Sequence, residues 1–135
     1  MRLWHYKLIP VLPNKMLVSQ WRECIAIKRQ WEKGTLKHSL VKYIMNYDKS
    51  YFMTYVDKVC DEMYKRGIKF QDKYLCEIID FCNDKNSISH YMEHNDRYLI
   101  QCYYNLQEKY DRGMITDEEY SKIQDIVLKK LGGVI

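Results

Sequence analysis

The chain has 135 residues, of which 47% are hydrophobic and 30% charged, with a formal net charge of +4. That balance excludes a disordered polyelectrolyte and suits a single domain over residues 1–135. No apolar run approaches the roughly 18 residues a membrane span needs, and the first residues lack a secretory apolar stretch, so a cytoplasmic protein without a membrane partner is expected.

In chain order, Pro10 and Pro13 come first and mark residues 1–13 as an extended N-terminal arm. Chain ends are usually frayed and polar, yet this one reads MRLWHYKLIP and carries Trp4 and Tyr6. Asn14 then reads as the cap of a helix over about 15–33. Leu17, Trp21, Cys24, Ile25 and Lys28 fall on one side of it, and Gly34 stops it. The stretch TLKHSLVKYIMNYD fits a short helix or an apolar strand; with no second strand to pair with, a helix is expected. The next helix takes Asp48 or Ser50 as its cap and Gly67 as its stop. Its stripe is Tyr51, Phe52, Tyr55, Val56, Val59, Cys60 and Met63. IKFQD reads as a loop, and DKYLCEIIDFCND as a three-turn helix ending near Asn83.

The longest periodic run is SISHYMEHNDRYLIQCYYNLQEKYDRG. Its stripe is Tyr91, Tyr98, Leu99, Cys102, Tyr103 and Leu106, and Gly113 ends it. Thr116 and Glu119 then have the spacing of a capping box. They open a last helix with Ile123, Ile126, Val127 and Leu131 on its apolar side and Gly132 at its close. The short RGMIT connection predicts that the last two helices pack antiparallel. The expected fold is all-α, a compact single-domain bundle of five to six helices with an N-terminal arm.

Charge is unevenly placed. Residues 1–50 hold ten Lys/Arg against three Asp/Glu, while residues 51–135 hold twelve against fifteen. Such asymmetry points to a phosphate-facing surface in the N-terminal part. The five cysteines form no CxxC and match no zinc spacing, which suggests reduced, mostly buried thiols. HYMEH places His90 and His94 at i, i+4 with Glu93 between them, the H-x-x-E-H order of one metallopeptidase class. No third ligand can be singled out, so neither a metal nor a cofactor is expected.

On a wheel of 100° per residue, Glu23 shares its face of the first helix with Ser19, Ala26 and Gln30. Lys15, Arg22 and Lys33 lie on the edges, and the apolar stripe is opposite. Read alone, Glu23 is a surface acid among cations.

The segment LPNKMLVSQWREC resembles the first helix of the pyrimidine-dimer DNA glycosylases, the endonuclease V family. There an aromatic, an Arg and a catalytic Glu follow one another, matched here by Trp21, Arg22 and Glu23. Arg2 matches an N-terminal Arg behind the reactive end, and YDKSYFMTYVDKVCDEMYKRG echoes a later family segment. MRLWH and the KHS at 37–39 resemble a bacterial branch. The resemblance covers roughly residues 1–70. The position one turn after the Glu, where the family has a further Arg, is Ala26.

The resemblance implies a compact helical enzyme, a DNA-repair glycosylase and abasic-site lyase acting on pyrimidine-dimer-type damage. Its nucleophile would be the chain's own α-amine, at Met1, because the bulky Arg2 should keep the initiator in place. An α-amine ordinarily titrates at about 7.7–8.0 against about 10.4 for a lysine, so far more of it is neutral at physiological pH. A neutral amine can attack sugar C1′ and form a Schiff base. Glu23 would stabilise positive charge at the sugar and move protons. Arg2 and Arg22 would hold phosphates beside the lesion, and His5 would face DNA with them; on charge rather than on a family motif, Arg29, Lys33 and Lys37, with His38 beside them, would extend the contact. An arm of about 13 residues spans some 40 Å when extended, enough to return over the helix to Glu23. The expected partner is double-stranded DNA with damaged or abasic sites, and the expected state is a monomer. The alternatives are a non-catalytic nucleic-acid-binding module and a helical protein-interaction domain.

Overall fold

A computed structural model describes residues 1–87 and 89–132. Among them are five α-helices and two short 3₁₀ segments, with no strand: α1 (Asn14–Glu32), α2 (Lys49–Lys65), α3 (Asp72–Cys82), α4 (Asp96–Asp111) and α5 (Asp117–Lys130). The fold is all-α, as expected from the periodicity.

Helix α2 is the centre. It buries Phe52, Met53, Tyr55, Val56, Val59, Cys60 and Met63, and packs against α1, α3 and both 3₁₀ segments. Burying a side chain such as Phe52 or Val56 contributes about 1.5–3 kcal/mol. Asp48 caps it, accepting the Ser50 N–H at 2.9 Å. Helix α1 runs alongside, burying Leu17, Trp21, Cys24 and Ile27. It stops where Gly34 takes φ +73°, a left-handed conformation that costs a residue without Cβ little. Helices α4 and α5 pack on each other as a hairpin. Leu99, Cys102, Leu106, Ile123 and Val127 are buried there, and both halves of the Thr116–Glu119 capping box are formed.

Four expectations are corrected. Residues 1–13 are not extended throughout, because Tyr6–Val11 form a 3₁₀ segment wedged between α2 and α5. Proline's fixed φ fits a 3₁₀ turn as well as an extended chain, so Pro10 sits inside it. The cap residue before α1 is Pro13, with ψ 149° and no side-chain bond, whereas Asn14 is the first helical residue. Its Oδ1 accepts from Arg66 instead, at 3.0 Å. Finally, TLKHSLVKYIMNYD supplies only a 3₁₀ segment, Lys42–Asn46, and the long run after Asn83 becomes helical only at Asp96, capped by Asn95. Ile88, within that run, lies outside the described residues.

Candidate active site

The arm is tied down atom by atom. The Arg2 carbonyl accepts from Gln20 Nε2 at 2.9 Å, and the Trp4 N–H donates to Gln20 Oε1 at 2.8 Å. The Leu3 carbonyl accepts from the Tyr98 hydroxyl, and the Trp4 carbonyl from the Tyr55 hydroxyl at 2.6 Å. The Tyr6 N–H donates to His94 Nδ1 at 3.3 Å, and the Lys7 N–H to His5 Nδ1 at 3.1 Å. Leu3, Trp4, Leu8 and Ile9 are buried beneath these bonds. Arg66 fastens the far end, donating to the carbonyls of Pro10 and Leu12 at 3.0 and 2.6 Å.

So held, the chain end lies over the middle of α1. Met1 and Glu23 line the same open groove, of about 450 Å³. The Arg2 backbone N–H points at Glu23 Oε2 from 3.5 Å, and Gln20 Nε2 donates to the same oxygen at 3.2 Å. Lys15 flanks one side, while Asn105, Lys109 and Met114, from α4 and the turn after it, form the other wall. Arg2 is half-buried, its guanidinium 5.2 Å above the Trp4 ring. Burial pushes up the Cys102 thiol on α4, and the Arg2 charge works partly against that rise.

The remaining expected contacts divide. Arg22 and Arg29 are exposed and line a second groove on α1, of about 530 Å³, with Ala26 and Tyr74. Arg29 lies over the Tyr74 ring and pairs with Glu77 at 3.3 Å. Lys33, Lys37 and His38 are exposed at and beyond the end of α1. Ten residues of helix put Lys33 about 15 Å from Glu23 along the axis, so it borders the site without entering it. His5 does not face solvent. It is 1% exposed and caps the 3₁₀ segment, and burial drops its pKa to about 4. The expected DNA contact is thus replaced by a structural one: an aromatic neighbourhood, not a free surface, receives the ring.

The HYMEH stretch is likewise structural. Its histidines precede α4 and share no helical face. Because His94 Nδ1 accepts an N–H, its proton sits on Nε2, which is 2.7 Å from the Tyr43 hydroxyl. Both nitrogens are therefore spent within the fold, and burial lowers this pKa to about 3. His90 stacks on Tyr6 with centroids 3.6 Å apart.

Sequence reasoning missed Gln20, which is 1% exposed and joins arm to helix. A signal existed. It is an uncharged polar residue at i+3 from Leu17, inside the buried stripe, where burial without partners would cost about 1–3 kcal/mol.

Comparison with known proteins adds one match: residues 1–75 fit the family model described as pyrimidine dimer DNA glycosylase. No curated protein and no solved structure matches the chain.

Proposed function

The chain belongs to the pyrimidine dimer DNA glycosylase family, and from that membership we propose a DNA-repair glycosylase with abasic-site lyase activity whose nucleophile is the α-amine of Met1. One observation carries the reading: the arm folds back so that Met1 and Glu23 open on a common groove. The two groups are not spent on each other, since none of the ion pairs among the described residues includes either one.

At an abasic site, the neutral amine adds to the C1′ aldehyde, and loss of water leaves an imine. Glu23 takes a proton from C2′. The C3′–O bond then breaks, and the 3′ phosphate leaves with the electron pair. Water hydrolyses the imine and frees the enzyme. On a damaged nucleotide the same amine attacks C1′ while the glycosidic bond breaks, its electron pair going to the base nitrogen, which takes up a proton; in a cyclobutane dimer the freed base stays joined to its neighbour, and opening of the sugar ring gives the same imine. Reaching that bond requires the nucleotide to leave the stack. Lys15 and Lys109 supply phosphate contacts at the groove, Arg22 and Arg29 supply them from the second groove on α1, and Lys33, Lys37 and His38 extend them past the end of that helix.

The test uses tag-free protein whose intact mass places Met1 at the terminus. It should nick a duplex carrying one abasic site, and a duplex carrying one cyclobutane pyrimidine dimer. Adding one residue before Met1 should abolish nicking and spare binding. A tag-free protein that binds the abasic duplex without cutting it would leave a binding module and overturn the enzyme reading.

A further inference from the structure

We infer that Gln20 is a positioning residue of this site, fixing the chain end against α1 and dividing the labour between the two oxygens of Glu23. The inference rests on the proposed lyase chemistry and concerns a residue outside the Trp-Arg-Glu motif itself.

A primary amide offers two N–H donors and one oxygen with two lone pairs. Here both donors and one lone pair of the oxygen are engaged in a buried position. Nε2 donates to the Arg2 carbonyl at 2.9 Å and to Glu23 Oε2 at 3.2 Å. Oε1 accepts from the Trp4 N–H at 2.8 Å and lies 3.0 Å from the Tyr55 hydroxyl. The orientation of the amide is set by the arm's backbone. A carbonyl can only accept and an N–H can only donate, so the nitrogen faces Arg2 and the oxygen faces Trp4.

Two consequences follow. Bonds to both Arg2 and Trp4 grip the arm on either side of Leu3, the nearer grip one residue from the proposed reactive amine. The second consequence concerns the carboxylate. Oε2 of Glu23 faces two donors, the Gln20 amide and the Arg2 N–H. Oε1 has no hydrogen-bond donor among the described residues, and is the oxygen left to take the C2′ proton. A carboxylate free to rotate would present either oxygen in many orientations; Gln20 holds one of them. Such control of geometry governs rate more than binding, because the amine and the carboxylate must meet one sugar from fixed positions.

The test compares wild type with Gln20→Met, which keeps length and removes every hydrogen bond. A second variant, Val127→Ala, truncates the buried face of α5, a helix that contributes no residue to the groove. Steady-state cleavage of an abasic duplex, giving kcat and KM, is measured with the thermal midpoint of each protein. Gln20→Met should lower kcat on the order of 10- to 100-fold with KM within about threefold, since misplacement rather than lost affinity is the defect. Val127→Ala should lose thermal stability while keeping kcat within about twofold at a temperature where it remains folded. If Gln20→Met keeps wild-type kcat, or if both variants lose kcat in step with stability, the inference is overturned while the lyase reading stands. A wild type that does not cleave overturns both.

Discussion

The N-terminal arm and the α4–α5 hairpin are both well packed, but they are held in different ways. Each helix of the hairpin carries its own instructions. Asn95 accepts the Tyr98 N–H at 3.0 Å, Thr116 and Glu119 close the capping box, and the buried Leu99, Cys102, Leu106, Ile123 and Val127 recur at helical spacing. Ahead of its 3₁₀ segment, the arm contains almost none of its own support. Its backbone is satisfied by Gln20, Tyr55, His94 and Tyr98, residues from 16 to 95 positions away. The hairpin needs its neighbours for burial; the arm needs them to have any definite shape. The chain end takes its place only through contacts with the rest of the fold, a dependence that would let a terminus serve as a precise part of the proposed site.

Glu23→Gln should show the largest effect on this contrast. If Glu23 moves the proton as proposed, its loss should lower abasic-site cleavage by about 10²- to 10⁴-fold, with the thermal midpoint little changed because Glu23 holds no ion pair among the described residues. Cleavage kinetics and a melting curve on one preparation check both halves.

Acid should loosen the arm before the hairpin. Burial holds His5 at about 4 and His94 at about 3, below the ordinary 6.5. The unfolded chain therefore binds these protons first. Their contribution to stability is complete above about pH 6.5 and drains away as pH falls towards 4, on the order of a few kcal/mol in all. Protonated Nδ1 atoms can no longer accept from the Tyr6 and Lys7 N–H groups. Denaturant unfolding at pH 7 and pH 4.5 measures the loss. His5→Asn, which keeps a non-titrating capping acceptor, should flatten the dependence.

Tyr98→Phe leaves the Leu3 carbonyl without its donor and should cost about 1–3 kcal/mol by chemical denaturation, with exchange of the arm's amides accelerated. Thr116→Ala strips the α5 cap and should cost about 1 kcal/mol, with cleavage of the abasic duplex unchanged.

The same contrast explains what could be read in advance. Helix α2 and the α5 capping box were legible because their signals are local: Asp48 and Gly67 at the ends, apolar residues every three or four positions. The region 35–48 was less so, since Val41, Tyr43 and Ile44 suit several short conformations and only packing on α2 selects a 3₁₀ segment. In the site, Arg22 and Glu23 stood out through a motif. Gln20 did not, because its meaning lies in the arm's carbonyl and N–H groups, 18 and 16 residues away. His5 misled for the same reason. A polar ring near a basic terminus looks solvent-facing until α4 and Tyr6 are seen to enclose it.

The most direct test is a borohydride trap followed by peptide mapping. Tag-free protein is mixed with a duplex bearing one abasic site, the imine is reduced, and the adduct is digested and located by mass. One covalent adduct is expected, on the α-amine of Met1, absent when a residue is added ahead of it. An adduct on the side chain of Lys15 or Lys109, or one that persists in the extended protein, would contradict it.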